Sequence, residues 1–164
     1  MIEVVVDKLR YRYPETKNLA LDNISCEINQ GEFIGVIGRN RSGKSTFAQA
    51  LLGLAPNFYH GAYGGIVSIG ALNVKESSVD ELCQKVGLVF QNPFNQITGS
   101  KLTVYEEITF GLENFGVAPD EMRRRIDEAM DRLGIADLAD RAPYDLSGGQ
   151  MQRVAIGWYY GYVA

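Results

Sequence analysis

The stretch GRNRSGKST, residues 38–46, lies between the apolar run FIGVI (residues 33–37) and the amphipathic segment FAQALLGL (residues 47–54). It fits the pattern G-x-x-x-x-G-K-[ST], a glycine-rich loop that connects a buried strand to a helix. In such a loop successive backbone N–H groups converge on an anion, and the helix N-terminus adds partial positive charge. The stretch therefore predicts, in order, a strand, a phosphate-binding loop and a helix.

Four side chains of this loop have predicted consequences for binding. Lys44 is expected to neutralise β- and γ-phosphate oxygens, Ser45 to ligate Mg²⁺, and Thr46 to donate to a nearby phosphate. Arg41 occupies a position where a small residue suits a tight turn, so it either clashes with the turn or reaches a phosphate. The alternative for the whole stretch is a glycine-rich turn that precedes a helix without binding a ligand.

The stretch LSGGQMQRVAI, residues 146–156, contains a second candidate anion site. Ser147 and Gln150 have the S-x-x-Q spacing of a capping box, in which the two side chains satisfy backbone N–H groups at a helix start. Gly148 and Gly149 leave that N-terminus unobstructed, which suits a phosphate. A capping box alone predicts only a helix start, so the meaning of this one depends on its surroundings.

The remaining sequence predicts strands first and helices later. Capping boxes at Ser78–Glu81 and Thr103–Glu106 each predict a helix start, and a helical pattern runs from Pro119 to Gly134. An α/β core with a helical insertion over about residues 100–145 is therefore expected. The first predicted strand is residues 2–13. Residues 20–38 are predicted to form two strands with a break at residues 29–31. Two more predicted strands are residues 66–70 (IVSIG) and the buried-strand candidate VGLVFQ at residues 86–91.

Composition narrows the possible partners. The 164 residues are 46% apolar and 22% charged, which suits one soluble domain, and the net charge is −4. Nucleic acid as a main partner is disfavoured because phosphate backbones need a basic face. The basic cluster at residues 123–125 lies among acidic residues and predicts a solvated helix face. Cys26 and Cys83 are expected to be reduced core thiols, and no apolar run approaches the roughly 20 residues of a membrane span.

Taken together, these motifs resemble the ATPase domain of ABC transporters. The resemblance covers residues 1–156 and rests on the loop at 38–46, on Gln91 after VGLVF, and on LSGGQMQRVAI. Three further stretches resemble the ATPases of energy-coupling factor importers: GLAPNFYHGAYGG (53–65), VFQNPFNQI (89–97) and TVYEEITFGLENFGV (103–117). The implied fold is α/β, a P-loop NTPase (RecA-like) core with antiparallel N-terminal strands and a helical subdomain.

The resemblance also implies site residues. Tyr13 matches the aromatic residue that stacks on adenine, with a core strand aromatic as the alternative reading and Tyr11 as the other candidate. Gln91 matches the glutamine that reaches Mg²⁺ and the attacking water. The alternative interpretation of Gln91 is a polar cap at the end of a strand. Lys44 and Gln91 are the implied catalytic residues, and Ser45 and Gln91 the implied metal ligands. The implied nucleotide contacts are Tyr13, Gly38, Arg39, Asn40, Arg41, Ser42, Gly43, Lys44, Ser45, Thr46, Ser147, Gly148, Gly149 and Gln150.

The function that the resemblance implies is ATP binding and hydrolysis coupled to uptake of a vitamin or metal ion. ATP and Mg²⁺ are the implied cofactors, and the cytoplasmic face of the cell membrane is the implied location. The implied partners are a second ABC ATPase subunit in a head-to-tail dimer, a transmembrane coupling protein and a substrate-binding membrane component. The alternatives are a non-hydrolytic nucleotide-binding fragment and a soluble ABC-class ATPase acting on DNA or ribosomes.

Two features depart from the family pattern. The strand ending in Asp–Glu and the histidine that the family uses for hydrolysis are absent, and His60 matches no catalytic position. We expect residues 1–164 to be an incomplete domain, lacking the C-terminal half of the core. We also expect it to be inactive in hydrolysis alone, to expose apolar edges around residues 33–37, and to fold poorly.

Residues 157–164, GWYYGYVA, are the second departure. Their possible codons, read one base later, permit AGIMAM, which resembles the family's continuation, so we predict an aberrant tail produced by a frameshift near Gly157. Chance is the alternative, because degenerate codons allow several residues at each position. The nucleotide sequence tests this: the shifted frame is expected to open into a strand ending in Asp–Glu, and any other reading contradicts the prediction.

Overall fold

The computed structural model describes residues 2–114 and 116–163. Two compact units are present, residues 1–88 and residues 89–164, and each is described by itself. The first unit contains the elements β1 (Ile2–Arg12), β2 (Leu21–Asn29), α1 (Lys44–Leu51), α2 (Leu54–Asn57), β3 (Ala62–Ile69), β4 (Leu72–Asn73) and α3 (Val79–Cys83). The second contains α4 (Val104–Asn114), α5 (Pro119–Leu133), α6 (Gly148–Val163) and three 3₁₀ turns, Pro93–Asn95, Ala136–Leu138 and Pro143–Asp145.

The sheet of the first unit has four strands in the order β2-β1-β3-β4, and every pairing is antiparallel. The predicted opening strand and the strand before residue 29 are confirmed as β1 and β2. The predicted strand IVSIG lies within β3, which begins earlier, at Ala62. Together with the helices this confirms an α/β fold with antiparallel N-terminal strands.

A bulge in β1 explains its mixed alternation of apolar and polar residues. Between Val6 and Leu9 the strand advances three residues while β2 advances two, and β3 shows the same shift opposite residues 7–10. Lys8 lies in the bulge and has a left-handed conformation, with φ 50°. The bulge changes the side-chain parity, so Val6, Leu9 and Tyr11 all face the core.

The predicted strands at residues 33–37 and 86–91 are wrong. Neither segment forms a strand, and Phe33 and Ile37 are 98% and 95% exposed. A central strand needs neighbours for its backbone hydrogen bonds, and no described strand pairs with either segment. The apolar side chains of this segment are exposed, but they do not form the strand edge that the sequence predicted.

The second unit is a helical cluster with the capped ends that the sequence predicts. At the start of α4 the Thr103 backbone N–H donates to Glu106 Oε2, and the Glu106 backbone N–H donates to Thr103 Oγ1. Gly134 ends α5 in a left-handed conformation with φ 60°. The capping box at Ser78 likewise starts α3 in the first unit. Residues 123–125 lie on the outer face of α5, where Arg124 pairs with Glu121 and Glu128, which confirms the predicted solvated helix face.

Residues 157–159 pack into the second unit as part of α6. Gly157 is buried, and Trp158 lies against Gly111 of α4. A methyl group on Gly111 would approach Trp158 Cε2 to 2.8 Å, so this glycine is what allows α4 and α6 to meet there. The buried indole N–H of Trp158 has no acceptor among the described residues. The indole therefore contributes by packing and leaves a polar group unsatisfied.

We expect Gly111→Ala to destabilise the second unit by about 1–3 kcal/mol, because the added methyl group overpacks the α4–α6 contact. Trp158 is the single tryptophan, so its emission reports this contact directly. The emission maximum should shift to longer wavelength and the urea midpoint should fall. Gly148→Ala is the matched control, since a methyl group there meets nothing within 4 Å. Equal behaviour of the two variants would contradict the prediction.

Candidate functional site

The loop at residues 38–46 depends on the conformation of Gly43. This residue precedes α1 with φ 92°, in the left-handed region, and a Cβ there would lie 2.3 Å from the backbone oxygen of Ala20. No residue with a side chain fits without displacing the backbone at the start of β2. Gly43 therefore sets both the turn of the loop and the starting point of α1.

Lys44 lies folded over the loop that precedes it. Its Nζ donates to the backbone oxygens of Gly38 and Arg39, at 3.0 and 2.9 Å. A lysine ammonium has three N–H groups, so these bonds leave one for another acceptor. Lys44 thus closes the loop into a ring and presents positive charge at the start of α1.

Arg41 adopts the strained conformation that its position predicts. Its φ is 65°, in the region where a side chain costs about 1–2 kcal/mol relative to glycine. The side chain is exposed and does not clash with the turn; it lines a cavity of about 260 Å³ together with Tyr13, Ala20 and residues 42–46. The first-turn backbone N–H groups of α1 are the donors that a helix leaves without intrahelical partners. The cavity therefore combines cations and backbone donors, the chemistry that suits a phosphate.

Tyr13 is the aromatic residue at this cavity. Its hydroxyl lies 3.1 Å from Thr46 Oγ1 and donates to Gln49 Oε1 at 3.0 Å, and its ring packs edge-on against Tyr11 and Tyr59. Tyr11, the other candidate for base stacking, is fully buried and does not present a ring face to a ligand. Burial, with a smaller contribution from Tyr13, raises the pKa of Tyr11. The role of Tyr13 towards a base stays a prediction.

The second candidate site begins α6. The Ser147 backbone N–H donates to Gln150 Oε1 at 2.9 Å, and the Gln150 N–H donates to Ser147 Oγ at 3.4 Å, which confirms the capping box. Gly148 and Gly149 are exposed, and a methyl group on either would meet nothing within 4 Å. Local packing therefore does not require glycine at either position, and the end of the helix is open to solvent.

Gln91 lies exposed in the second unit, after a segment that forms no strand. The residue that sequence reasoning missed is Gln96. Its Oε1 accepts from the Phe90 N–H at 3.3 Å, and its Nε2 donates to the backbone oxygen of Ala155 in α6 at 3.0 Å. One amide side chain thus attaches the backbone before Gln91 to the helix that begins with the capping box. No spacing in the sequence indicated this contact.

The predicted metal ligands belong to different units: Ser45 lies in the first turn of α1 in the first unit, and Gln91 lies in the second. Among the residues that the structure covers, no group of three or more His, Cys, Asp or Glu side chains could hold a metal ion. A hydroxyl and an amide together with phosphate oxygens are ligands of the hard type that Mg²⁺ accepts. Across the same residues, no helix is both long and apolar enough to cross a bilayer.

Residues 21–160 match the family described as ABC transporter, and the chain belongs to this family. The fold agrees: cbiO1 from Clostridium perfringens, described as part of the ABC transporter complex cbiONQ, has a TM-score of 0.84 and 32% identity. The match covers 98% of this chain and 62% of that one.

The curated relatives are more specific. The chain is 48% identical to the energy-coupling factor transporter ATP-binding protein EcfA1 of Lacticaseibacillus paracasei, over 92% of this chain and 52% of the relative. It is 41% identical to EcfA1 of Bacillus subtilis, over 93% and 52%. These similarities confirm the resemblance to ATP-binding proteins of the energy-coupling factor type. The chain spans about half the length of these relatives.

We expect Gly43→Ala to weaken phosphate binding at the loop and to lower the melting temperature, because its methyl group would strike the Ala20 backbone oxygen. Gly31→Ala is the matched control: φ there is 81°, yet a methyl group meets nothing within 4 Å. The control carries the left-handed strain alone, about 1–2 kcal/mol. The melting temperature and the Kd for pyrophosphate, each measured for Gly43→Ala and for Gly31→Ala, compare the two variants. The interpretation of Gly43 is wrong if both variants lose the same stability.

Proposed function

We propose that the chain is the ATP-binding part of an energy-coupling factor ABC importer, in which ATP binding and hydrolysis drive uptake of a vitamin or a metal ion. The observation that carries this proposal is the loop around Gly43. There Lys44, Arg41, Tyr13 and the N-terminus of α1 meet at one cavity. The similarity to EcfA1 proteins supports it over most of the chain.

The proposed roles follow from the donors that each residue has available. Lys44 directs its remaining N–H to β- and γ-phosphate oxygens, residues 38–46 surround the phosphates with backbone N–H groups, and the Tyr13 ring meets the adenine. Ser45 and Gln91 are the proposed protein ligands of Mg²⁺, which when bound neutralises phosphate charge. Gln91 also orients the attacking water, because an amide can do this without titrating.

The capping box at residues 147–150 is proposed to act on a second subunit. In a head-to-tail dimer its exposed helix end contacts the γ-phosphate held by the partner, so ATP lies between two half-sites. ATP binding then favours dimer closure by mass action, because the closed form binds ATP and the open form binds it less well. The unobstructed glycines at 148 and 149 support this arrangement.

The remaining partners are proposed from the resemblance to energy-coupling factor importers. A transmembrane coupling protein and a substrate-binding membrane component complete the importer, and the ATPase lies at the cytoplasmic face of the membrane. We further propose that residues 1–164 form part of one ABC-type domain. The residues at about 100–145, which include α4 and α5, are its helical subdomain.

Binding and hydrolysis can be tested separately. The purified chain is expected to bind Mg·ATP in calorimetry, and Lys44→Ala should weaken binding at least tenfold by removing about 1.4 kcal/mol or more of charge-assisted hydrogen bonding. Lys44→Arg is the control that keeps the charge but changes the donor geometry. Binding unaffected by Lys44→Ala would contradict the proposed site.

Hydrolysis is tested by joining the chain to the C-terminal half of the Lacticaseibacillus paracasei relative. The fusion is expected to hydrolyse ATP in a Lys44-dependent manner, whereas the chain alone binds without turnover. A fusion that folds and binds but does not hydrolyse favours the second candidate, a non-hydrolytic nucleotide-binding fragment.

A further inference from the structure

The Tyr13 hydroxyl stands between two side chains of α1. It lies 3.1 Å from Thr46 Oγ1 and donates to Gln49 Oε1 at 3.0 Å. All three groups are at least partly buried, and Thr46 is only 7% exposed. The rings of Tyr11 and Tyr59 pack against the ring of Tyr13 in T-shaped pairs, at centroid distances of 5.0 and 5.8 Å. The hydroxyl therefore has a fixed direction.

The number of protons determines which group donates in each bond. A tyrosine hydroxyl carries one hydrogen, and a glutamine Oε1 only accepts. The hydrogen of Tyr13 is therefore used in the bond to Gln49. The bond between Tyr13 and Thr46 then needs the hydrogen of Thr46, so Thr46 donates to Tyr13.

This assignment conflicts with the predicted role of Thr46 as a phosphate donor. Thr46 has a single hydroxyl hydrogen, and a donor cannot serve Tyr13 and a phosphate oxygen at full strength together. Its backbone N–H is unaffected by this competition. The side chain can reach a phosphate only by giving up Tyr13.

We propose that Gln49 and Tyr13 form a positioning pair. The pair keeps the Thr46 hydroxyl bonded to Tyr13, and so away from the phosphate site, until a bound phosphate breaks that hydrogen bond. When a phosphate oxygen accepts the hydrogen bond from Thr46, Tyr13 either keeps its own hydrogen bond to Gln49 or moves away together with its ring. Gln49 thereby acts on phosphate affinity through Tyr13 and Thr46, without touching the ligand. The inference rests on the proposed nucleotide site.

The test removes the competing acceptor. In Tyr13→Phe the ring remains and the hydroxyl is lost, so the Kd for Mg·ATP and for pyrophosphate should fall about two- to tenfold, the range of one net hydrogen bond. Adenosine is the control ligand: it has no phosphate, so its Kd should change less than the Kd for pyrophosphate does. A Kd for pyrophosphate that is unchanged or higher in Tyr13→Phe overturns the inference.

Two variants of Gln49 provide a matched pair. Gln49→Leu removes the acceptor, which lets Tyr13 donate to Thr46 and frees the Thr46 hydrogen, so phosphate binding should tighten as in Tyr13→Phe. Gln49→Glu keeps an acceptor of similar shape, so binding should not tighten. In a Thr46→Val background neither Tyr13→Phe nor Gln49→Leu should change the Kd. Tightening in that background, or the same tightening in both Gln49 variants, overturns the inference.

Unfolding separates this inference from the proposed function. A double-mutant cycle of Tyr13→Phe and Thr46→Val, measured by urea midpoint without any nucleotide, should show coupling between the two residues. Additive effects overturn the inference even if the chain binds ATP. A third result is also informative: the two residues are coupled and the variants bind pyrophosphate more tightly, but the chain does not bind Mg·ATP. That result retains the inference and rejects the proposed function.

Discussion

The contact between Gly43 and the Ala20 backbone oxygen is the constraint on which the rest of the first unit depends. It brings the start of β2 against the start of α1, and only a residue without a side chain can occupy that point. Lys44 can then fold over the loop, and Thr46 and Gln49 come to lie along Tyr13 of the neighbouring chain segment. A single steric requirement thus positions the cations, the helix N-terminus and the aromatic residue of the site.

Local chemistry was predictable from the sequence wherever it depends on neighbours along the chain. The capping boxes at Ser78, Thr103 and Ser147, the end of α5 at Gly134 and the start of a helix after Gly43 each rest on a few consecutive residues. These elements carry their own signal, because the side chains that fix them lie within one helical turn.

Features that depend on distant partners were less predictable. Residues 33–37 and 86–91 read as buried strands because they are apolar, but a strand exists only where another strand accepts its hydrogen bonds. The Tyr13–Gln49 contact joins residues 36 positions apart, and the Gln96–Ala155 contact joins residues 59 positions apart. No spacing pattern in the sequence predicts either contact. The bulge at Lys8 is intermediate: its mixed alternation was visible, but its cause lies in the register with β2 and β3.

The Gln96 amide has a consequence for the backbone next to Gln91. Its oxygen and nitrogen are bonded to different segments, and an amide cannot rotate without losing both bonds. The peptide plane before Gln91 is therefore held against the middle of α6, so the direction in which Gln91 leaves the backbone is tied to the position of that helix. Gln96 is a two-point attachment: one side chain joins the helix that begins at Gly148 to the backbone that leads into Gln91.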